Sequence, residues 1–372
     1  MTDPRSAVLA PWLAERLGAP SVSLGGLTRA KEGNSNETLL FDAGWEGADG
    51  PRHEEFVLRV QPTGDTLFRR PDVVREAAVL RHVAAVSDLP VPDVLAVEPD
   101  AAVLGSPFFV MHRLPGRVLV DVPSCHTHGW LTGAAPQERA GHWANGLAVL
   151  AGLSRVPAPQ GVQPAGPGTP LARLLMQVRA EADWAVRGRD LGTVNQALDW
   201  LAAHVPDHDD AVLSWGDARP GNLLYHPDGQ VSGILDWELA AAAPAEVDLG
   251  WWLVTDEFYS SGLGAQRLPG VPQPADQVGI WESLVGRPAR DLLFYEVLAA
   301  VRFALVLVRS RDRNVAAGRS QESSRMHTHN PMTQLLAGRL GLPVPGLAPE
   351  FEALLARYAQ KRVVEDGAAI QH

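Results

Sequence analysis

The sequence predicts an α+β chain in two lobes, strands first and helices after, and three observations carry that prediction. A chain of 372 residues can bury a large core and divide in two. Up to about residue 111 most segments read as strands, with two helices among them, and from residue 136 onward apolar residues recur at three- and four-residue spacings. Within the helical part, Leu223-Leu224-Tyr225 and the apolar run 231–235 flank Pro227-Asp228-Gly229, a turn signal that predicts a β-hairpin.

Residues 7–18 read as a helix with Trp12, Leu13 and Leu17 on one side and Gly18 as its stop. Residues 22–27 and 37–41 read as strands joined by the small polar loop 28–36. Backbone N–H groups in such a turn can cradle phosphate, and Gly33 and Ser35 mark where close approach is easiest. With no GxGxxG present, a plain hairpin loop is the commoner explanation of that composition. Residues 42–55 read as a Gly-rich acidic loop. Residues 56–60 follow as a strand, with Phe56, Leu58 and Val60 on one face and Arg59 on the other.

The next helix, 72–85, has a stripe of Val73, Ala77, Leu80 and Ala84, and Glu76 falls on that same apolar face. A carboxylate there needs a cation. Arg59 on the sheet can supply it and so position the α- and β-phosphates of a nucleotide, the task of a strand Lys in most kinases. Arg in that place exchanges a compact charge for a planar fork; a plain surface ion pair is the alternative. Residues 90–97 and 103–111 read as strands. The second ends in the run 107–111 and then His112-Arg113-Leu114-Pro115-Gly116, which on composition alone is a linker. Helices are predicted at 136–153, 171–188, 191–205, 291–308, 331–340 and 349–364, with a Pro- and Gly-rich loop at 156–170 and a tail at 365–372.

The hairpin carries the chemistry. Asn222 lies seven residues before Gly229 and Asp236 seven after it, so pairing sets the two side chains opposite each other at the open end. Asp217 precedes Asn222 by five residues on the loop into the first strand, with Pro220 and Gly221 fixing the turn. Such a group of oxygens suits Mg²⁺, which takes one or two carboxylates together with substrate phosphates. Asn222 and Asp236 are the natural ligands. Asp217 is then placed to accept a proton from a hydroxyl, and Arg219 to turn its fork to a transferring phosphate. Taken singly, Asp217 and Asn222 would be turn caps and Asp236 a strand end.

These residues resemble the aminoglycoside phosphotransferase and choline kinase group of small-molecule kinases, and within it the phosphotransferases akin to the kinase-like domain of some acyl-CoA dehydrogenases. The matching stretches are Trp215-Gly216-Asp217-Ala218-Arg219-Pro220-Gly221-Asn222, Leu235-Asp236-Trp237-Glu238 and Glu246-Val247-Asp248-Leu249-Gly250-Trp251. The wider family usually has His in place of Trp215 and Gly-Asp-Pro in place of Ala243-Pro244-Ala245; the narrower subgroup tolerates both. The resemblance implies a bilobal protein-kinase-like fold: a small antiparallel sheet lobe over residues 1–111, a hinge at 112–116 and a helical lobe over 117–372. It implies ATP or another nucleoside triphosphate with Mg²⁺, phosphate contacts at Gly33 and Ser35, and an adenine-binding hinge at Met111, His112 and Leu114. A small molecule bearing a hydroxyl is the implied acceptor: a hydroxyacyl thioester, amino alcohol, sugar or aminoglycoside. The rival reading is a non-catalytic nucleotide-binding module, a pseudokinase.

Composition narrows the partners. A net charge of −11 without a basic stripe argues against nucleic acid. No run approaches the roughly 18 apolar residues of a membrane span. The first eighteen residues lack a signal-peptide pattern, and Cys125 as the single cysteine excludes an internal disulfide, so a cytoplasmic location is expected. The pairs His126 with His128, His204 with His208 and His327 with His329 lack the spacing of a zinc site. Ser124-Cys125-His126 is no nucleophile motif, because adjacent residues rarely face each other.

Overall fold

The computed structural model of the chain describes residues 3–30, 36–163, 166–208 and 210–357. It divides into two compact units, one of residues 1–115 with 232–238 and one of residues 116–231 with 239–372.

The first unit is built on an antiparallel sheet in the order β1-β3-β4-β6-β5, with β2 added beside β3. Its strands are β1 (Val22–Leu24), β2 (Thr28–Arg29), β3 (Glu37–Gly47), β4 (Gly50–Val60), β5 (Val94–Glu98) and β6 (Phe108–His112). The segment 42–55, expected as a loop, is instead the paired outer half of β3 and β4, in register from Glu37 with Val60 to Gly47 with Gly50. Alternation explains it: Leu39, Phe41 and Ala43 all point into the core, so the strand period continues through the acidic positions. The strand expected over 103–111 begins only at Phe108, because residues 101–104 form turns in which Ala102 N–H donates to Asp100 Oδ1 and Gly105 N–H to Ala101 O.

Helix α1 (Ser6–Leu17) lays Leu9, Trp12 and Leu13 on one face of the sheet, against Phe41, Phe56, Leu58, Val60 and Phe108. Trp12 closes that layer by donating its indole N–H to Glu98. Helix α2 (Val73–Val86) starts at Asp72, whose carboxylate caps Arg75 N–H, and turns Glu76 inward beside Arg59 on β4.

The second unit is helical: α3 (Pro136–Leu153), α4 (Pro170–Val186), α5 (Thr193–Ala203), α6 (Glu246–Tyr259), α7 (Pro274–Val285), α8 (Leu292–Ala316) and α9 (Pro331–Leu340). Residues 349–357 are also helical. Helix α8 runs eight residues beyond its expected end, and α6 and α7 were not foreshadowed by any clear apolar stripe. Two strands also lay outside expectation, β7 (Val212–Ser214) paired with β10 (Ala241–Ala243). The predicted hairpin is present as β8 (Leu223–Tyr225) and β9 (Val231–Ile234), turned at Gly229 with φ +86°.

Candidate active site

Between β7 and β8 the chain has no long regular element, and its order comes from below. Asp248, in the first turn of α6 and 3% exposed, accepts hydrogen bonds from Ser214 Oγ at 2.8 Å, Trp215 N at 2.8 Å and Gly216 N at 2.9 Å. Burial pushes this carboxyl above its ordinary value, and the three donors work against that shift. Gly216 has φ +88°, and a Cβ there would lie 2.1 Å from Leu239 O, so the tight passage requires glycine. Arg302 on α8 donates to Gly216 O at 3.2 Å; burial lowers its pKa, while Asp248 and Asp217 oppose the shift.

The loop so held presents Asp217. Its Oδ2 accepts Asn222 Nδ2–H at 2.7 Å, and its Oδ1 accepts the Trp251 indole N–H at 2.8 Å and Arg219 Nε–H at 3.2 Å. Asn222, 2% exposed, also gives Nδ2 to Asp217 O at 3.1 Å, so its amide is oriented with Oδ1 as the remaining hard oxygen donor. Arg219 pairs with Asp121 as well as Asp217. Gly221 makes room for that pair, since a Cβ would come within 2.4 Å of Asp121 Oδ1.

In the first unit the predicted pair is present and is larger than predicted. Glu76 Oε1 meets Arg59 Nε at 3.1 Å and Nη2 at 3.0 Å, and Arg59 Nη2 also lies 2.9 Å from Asp236 Oδ1. Thr38 Oγ1 takes Arg59 Nη1–H. Asn36 joins the group, giving Nδ2 to Glu76 at 3.2 Å and to Glu238 at 3.0 Å. Burial raises the Glu76 carboxyl above its ordinary value. Burial also works against the Arg59 charge, yet Glu76, Asp236 and Glu238 hold that guanidinium above its ordinary value. Asp236 has φ +57°, a left-handed conformation that a non-glycine residue keeps only where its surroundings enforce it.

The structure therefore brings Asp217, Arg219 and Asn222 together in one unit, and Arg59, Glu76 and Asp236 in the other. Met111 is buried at the end of β6. His112 N–H and Arg113 N–H are already given to Asp93 O and Glu55 O, so these two amides are not open to a nucleotide base as a bare linker would leave them; Leu114 follows them. Gly33 and Ser35 lie outside the described residues. Sequence reasoning missed Asn36, Asp121 and Glu238; only Glu238, beside Asp236 in a quoted motif, offered a signal. Among the described residues no three His, Cys, Asp or Glu side chains are grouped as a metal site. Asn222 Oδ1 in the second unit and the Asp236 carboxylate in the first are each hard oxygen donors, of the kind Mg²⁺ takes rather than zinc. A cavity of about 640 Å³ in the second unit, lined by Arg117, Trp130, His142 and Asn145, contains none of the predicted site residues.

Comparison with known proteins bears on the family and the fold. The profile of the APH family, described as the phosphotransferase enzyme family, matches residues 26–275. Acyl-CoA dehydrogenase family member 11 of Pongo abelii is 25% identical over 268 residues, covering 68% of this chain and 32% of that protein. The chain thus spans about a third of the length of such curated relatives. A candidate aminoglycoside phosphotransferase of Ralstonia eutropha JMP134 superposes with a TM-score of 0.63 at 23% identity, covering 95% of this chain and 98% of that one. A thermostable mutant of the aminoglycoside phosphotransferase APH(4)-Ia, in ternary complex with ADP and hygromycin B, superposes with a TM-score of 0.54 at 16% identity over 89% of this chain and 98% of its own. The fold is the bilobal kinase-like fold, with an antiparallel sheet and a helical part. Among the described residues no helix is long and apolar enough to cross a membrane.

Proposed function

Because the chain belongs to the phosphotransferase enzyme family APH, a family of small-molecule kinases, we propose that it transfers the γ-phosphate of ATP to a hydroxyl group of a small metabolite. The observation that supports this best is the Asp217–Asn222 pair on a loop tied down by buried Asp248. Asp217 accepts the hydroxyl proton as the new O–P bond forms and the bond between the γ-phosphorus and the bridging oxygen breaks, releasing ADP. Arg219 is the cation beside the transferring group. Asn222 and Asp236 would hold Mg²⁺, which when bound neutralises phosphate charge and orients the phosphoryl group. Arg59, fixed by Glu76, positions the phosphates, Gly33 and Ser35 add backbone contacts to them, and the segment from Met111 through His112 to Leu114 takes the base through groups other than the His112 and Arg113 N–H, which are already bonded.

The acceptor classes to compare are hydroxyacyl thioesters, amino alcohols, sugars and aminoglycosides. The test is Asp217→Asn. Nucleotide and Mg²⁺ affinity, read by calorimetry, should stay within about twofold, while transfer falls roughly 10²- to 10⁴-fold, as for loss of a general base. A pseudokinase shows no transfer in either protein. A variant as active as its parent would remove Asp217 from the mechanism.

A further inference from the structure

Asp217 is held on the side away from its own loop by a residue with no part in metal or nucleotide binding. The Trp251 indole is 2% exposed and donates to Asp217 Oδ1 at 2.8 Å. The Arg302 guanidinium lies 4.8 Å from its ring centroid and the Phe303 ring 6.0 Å away. Close packing of this kind stops the indole from turning, so the N–H stays aimed at one oxygen.

The lone pairs then decide which oxygen can act. A carboxylate has about four acceptor positions, two on each oxygen. On Oδ1, Trp251 Nε1 and Arg219 Nε fill both. On Oδ2, Asn222 Nδ2 takes one, and the second contact of Arg219 Nε is long at 3.4 Å. We infer that Trp251 is a positioning residue that saturates Asp217 Oδ1 and leaves Oδ2 as the oxygen that receives the acceptor's proton. The inference rests on the kinase reading above. An indole N–H is a donor only, so Trp251 takes no part in the proton transfer itself. Without it, the carboxylate can rotate and present either oxygen, and fewer encounters have the productive geometry.

Two variants isolate the N–H. Trp251→Phe keeps an aromatic ring against Arg302 and Phe303, and site-specific replacement of Trp251 by β-(benzothiophen-3-yl)alanine keeps the full bicyclic shape without the donor. ADP release from Mg·ATP is read with water as acceptor, then with 3-hydroxybutyryl-CoA, choline, glucose and hygromycin B. Both variants should lower kcat about tenfold or more with the KM for ATP unchanged, and the thermal midpoint should fall in Trp251→Phe, which leaves a cavity, but less in the benzothiophene variant, which keeps the shape. If kcat matches the parent's in either variant, or falls only together with a higher KM and a lower midpoint, the positioning role is overturned and the kinase reading stands. If the parent turns over nucleotide with none of these acceptors, both fall together.

Discussion

Replacing Asp248 by Asn tests the support of the loop with almost no change of shape. Its two oxygens now serve three donors, Ser214 Oγ and Gly216 N on Oδ1 and Trp215 N on Oδ2. An Asn keeps one oxygen. In the better of its two orientations the oxygen stays on Ser214 and Gly216, while the NH₂ group faces Trp215 N–H, donor against donor. A buried unsatisfied N–H costs about 1–3 kcal/mol, and the two surviving bonds each weaken on losing the charge. Relief of carboxylate desolvation offsets part of this, but Arg302 loses a counter-charge that helps keep it ionised. The net cost is about 2–4 kcal/mol. For a unit of this size that is a fall of roughly 5–10 °C in the thermal midpoint. Amide exchange gives the local reading: Trp215 and Gly216, slow in the parent, should lose protection by at least about tenfold while the β4 and β6 amides keep theirs. An Asp248→Asn protein with an unchanged midpoint and equally slow Trp215 and Gly216 amides would refute the claim that this carboxylate holds the loop.

Two other outcomes follow from the charges. In the first unit, Glu76→Gln and Arg59→Ala should each weaken ATP binding, and the double variant should cost less than their sum by about 1–3 kcal/mol, since the two share one site; strict additivity in calorimetry would separate them. In the second unit, burial works to raise the Glu246 carboxyl, but the Arg287 fork and Arg290 N–H hold it below its ordinary value of 4.5. A depressed folded pKa means stability that is present above the ordinary value and lost as pH falls through the folded one. The urea midpoint should therefore fall on acidification below about pH 4.5, and Glu246→Gln, weaker at pH 7 by about 1–3 kcal/mol, should give a flatter curve in that window; parallel curves would exclude the pair as a source of acid sensitivity.

The parts of the molecule that the sequence made legible are those whose signals are local. The Pro-Asp-Gly turn marked the hairpin, and Glu76 on an apolar face demanded a cation that the strand period put at Arg59. The second half of the β3–β4 ribbon was hidden because Gly44, Glu46, Gly47, Asp49 and Gly50 carry turn and loop composition, while only the inward positions kept the strand period. Helix α6 was hidden for the opposite reason: nearly every side chain from Glu246 to Asp256 is buried, so there is no polar face and no stripe. Asp121 stands 98 residues before Arg219, and Trp251 follows Asp217 by 34, with no spacing rule to connect either pair. Asp236 was expected to face a metal, and in the structure its Oδ1 is paired with the buried cation Arg59.

The stretch Glu246 to Trp251 is where these long-range ties are concentrated, and helix geometry explains how six residues serve several purposes. Asp248 and Trp251 are three residues apart, so they share a face of α6. From that face Asp248 takes the backbone N–H groups of Trp215 and Gly216, and Trp251 reaches the side chain of Asp217 one residue further along the loop. Gly250, between them in sequence, lies against α8: a Cβ there would come within 2.6 Å of the Tyr295 carbonyl carbon, so glycine sets how closely the two helices approach. That close approach brings Arg302, seven residues further along α8, to both the Trp251 ring and Gly216 O. A loop with no strand or long helix of its own is thereby fixed at its backbone, its carbonyl and the Asp217 carboxylate by two helices whose spacing one glycine controls. The loop's geometry is consequently written into buried positions of α6 and α8, and substitutions there should reach Asp217 without touching it.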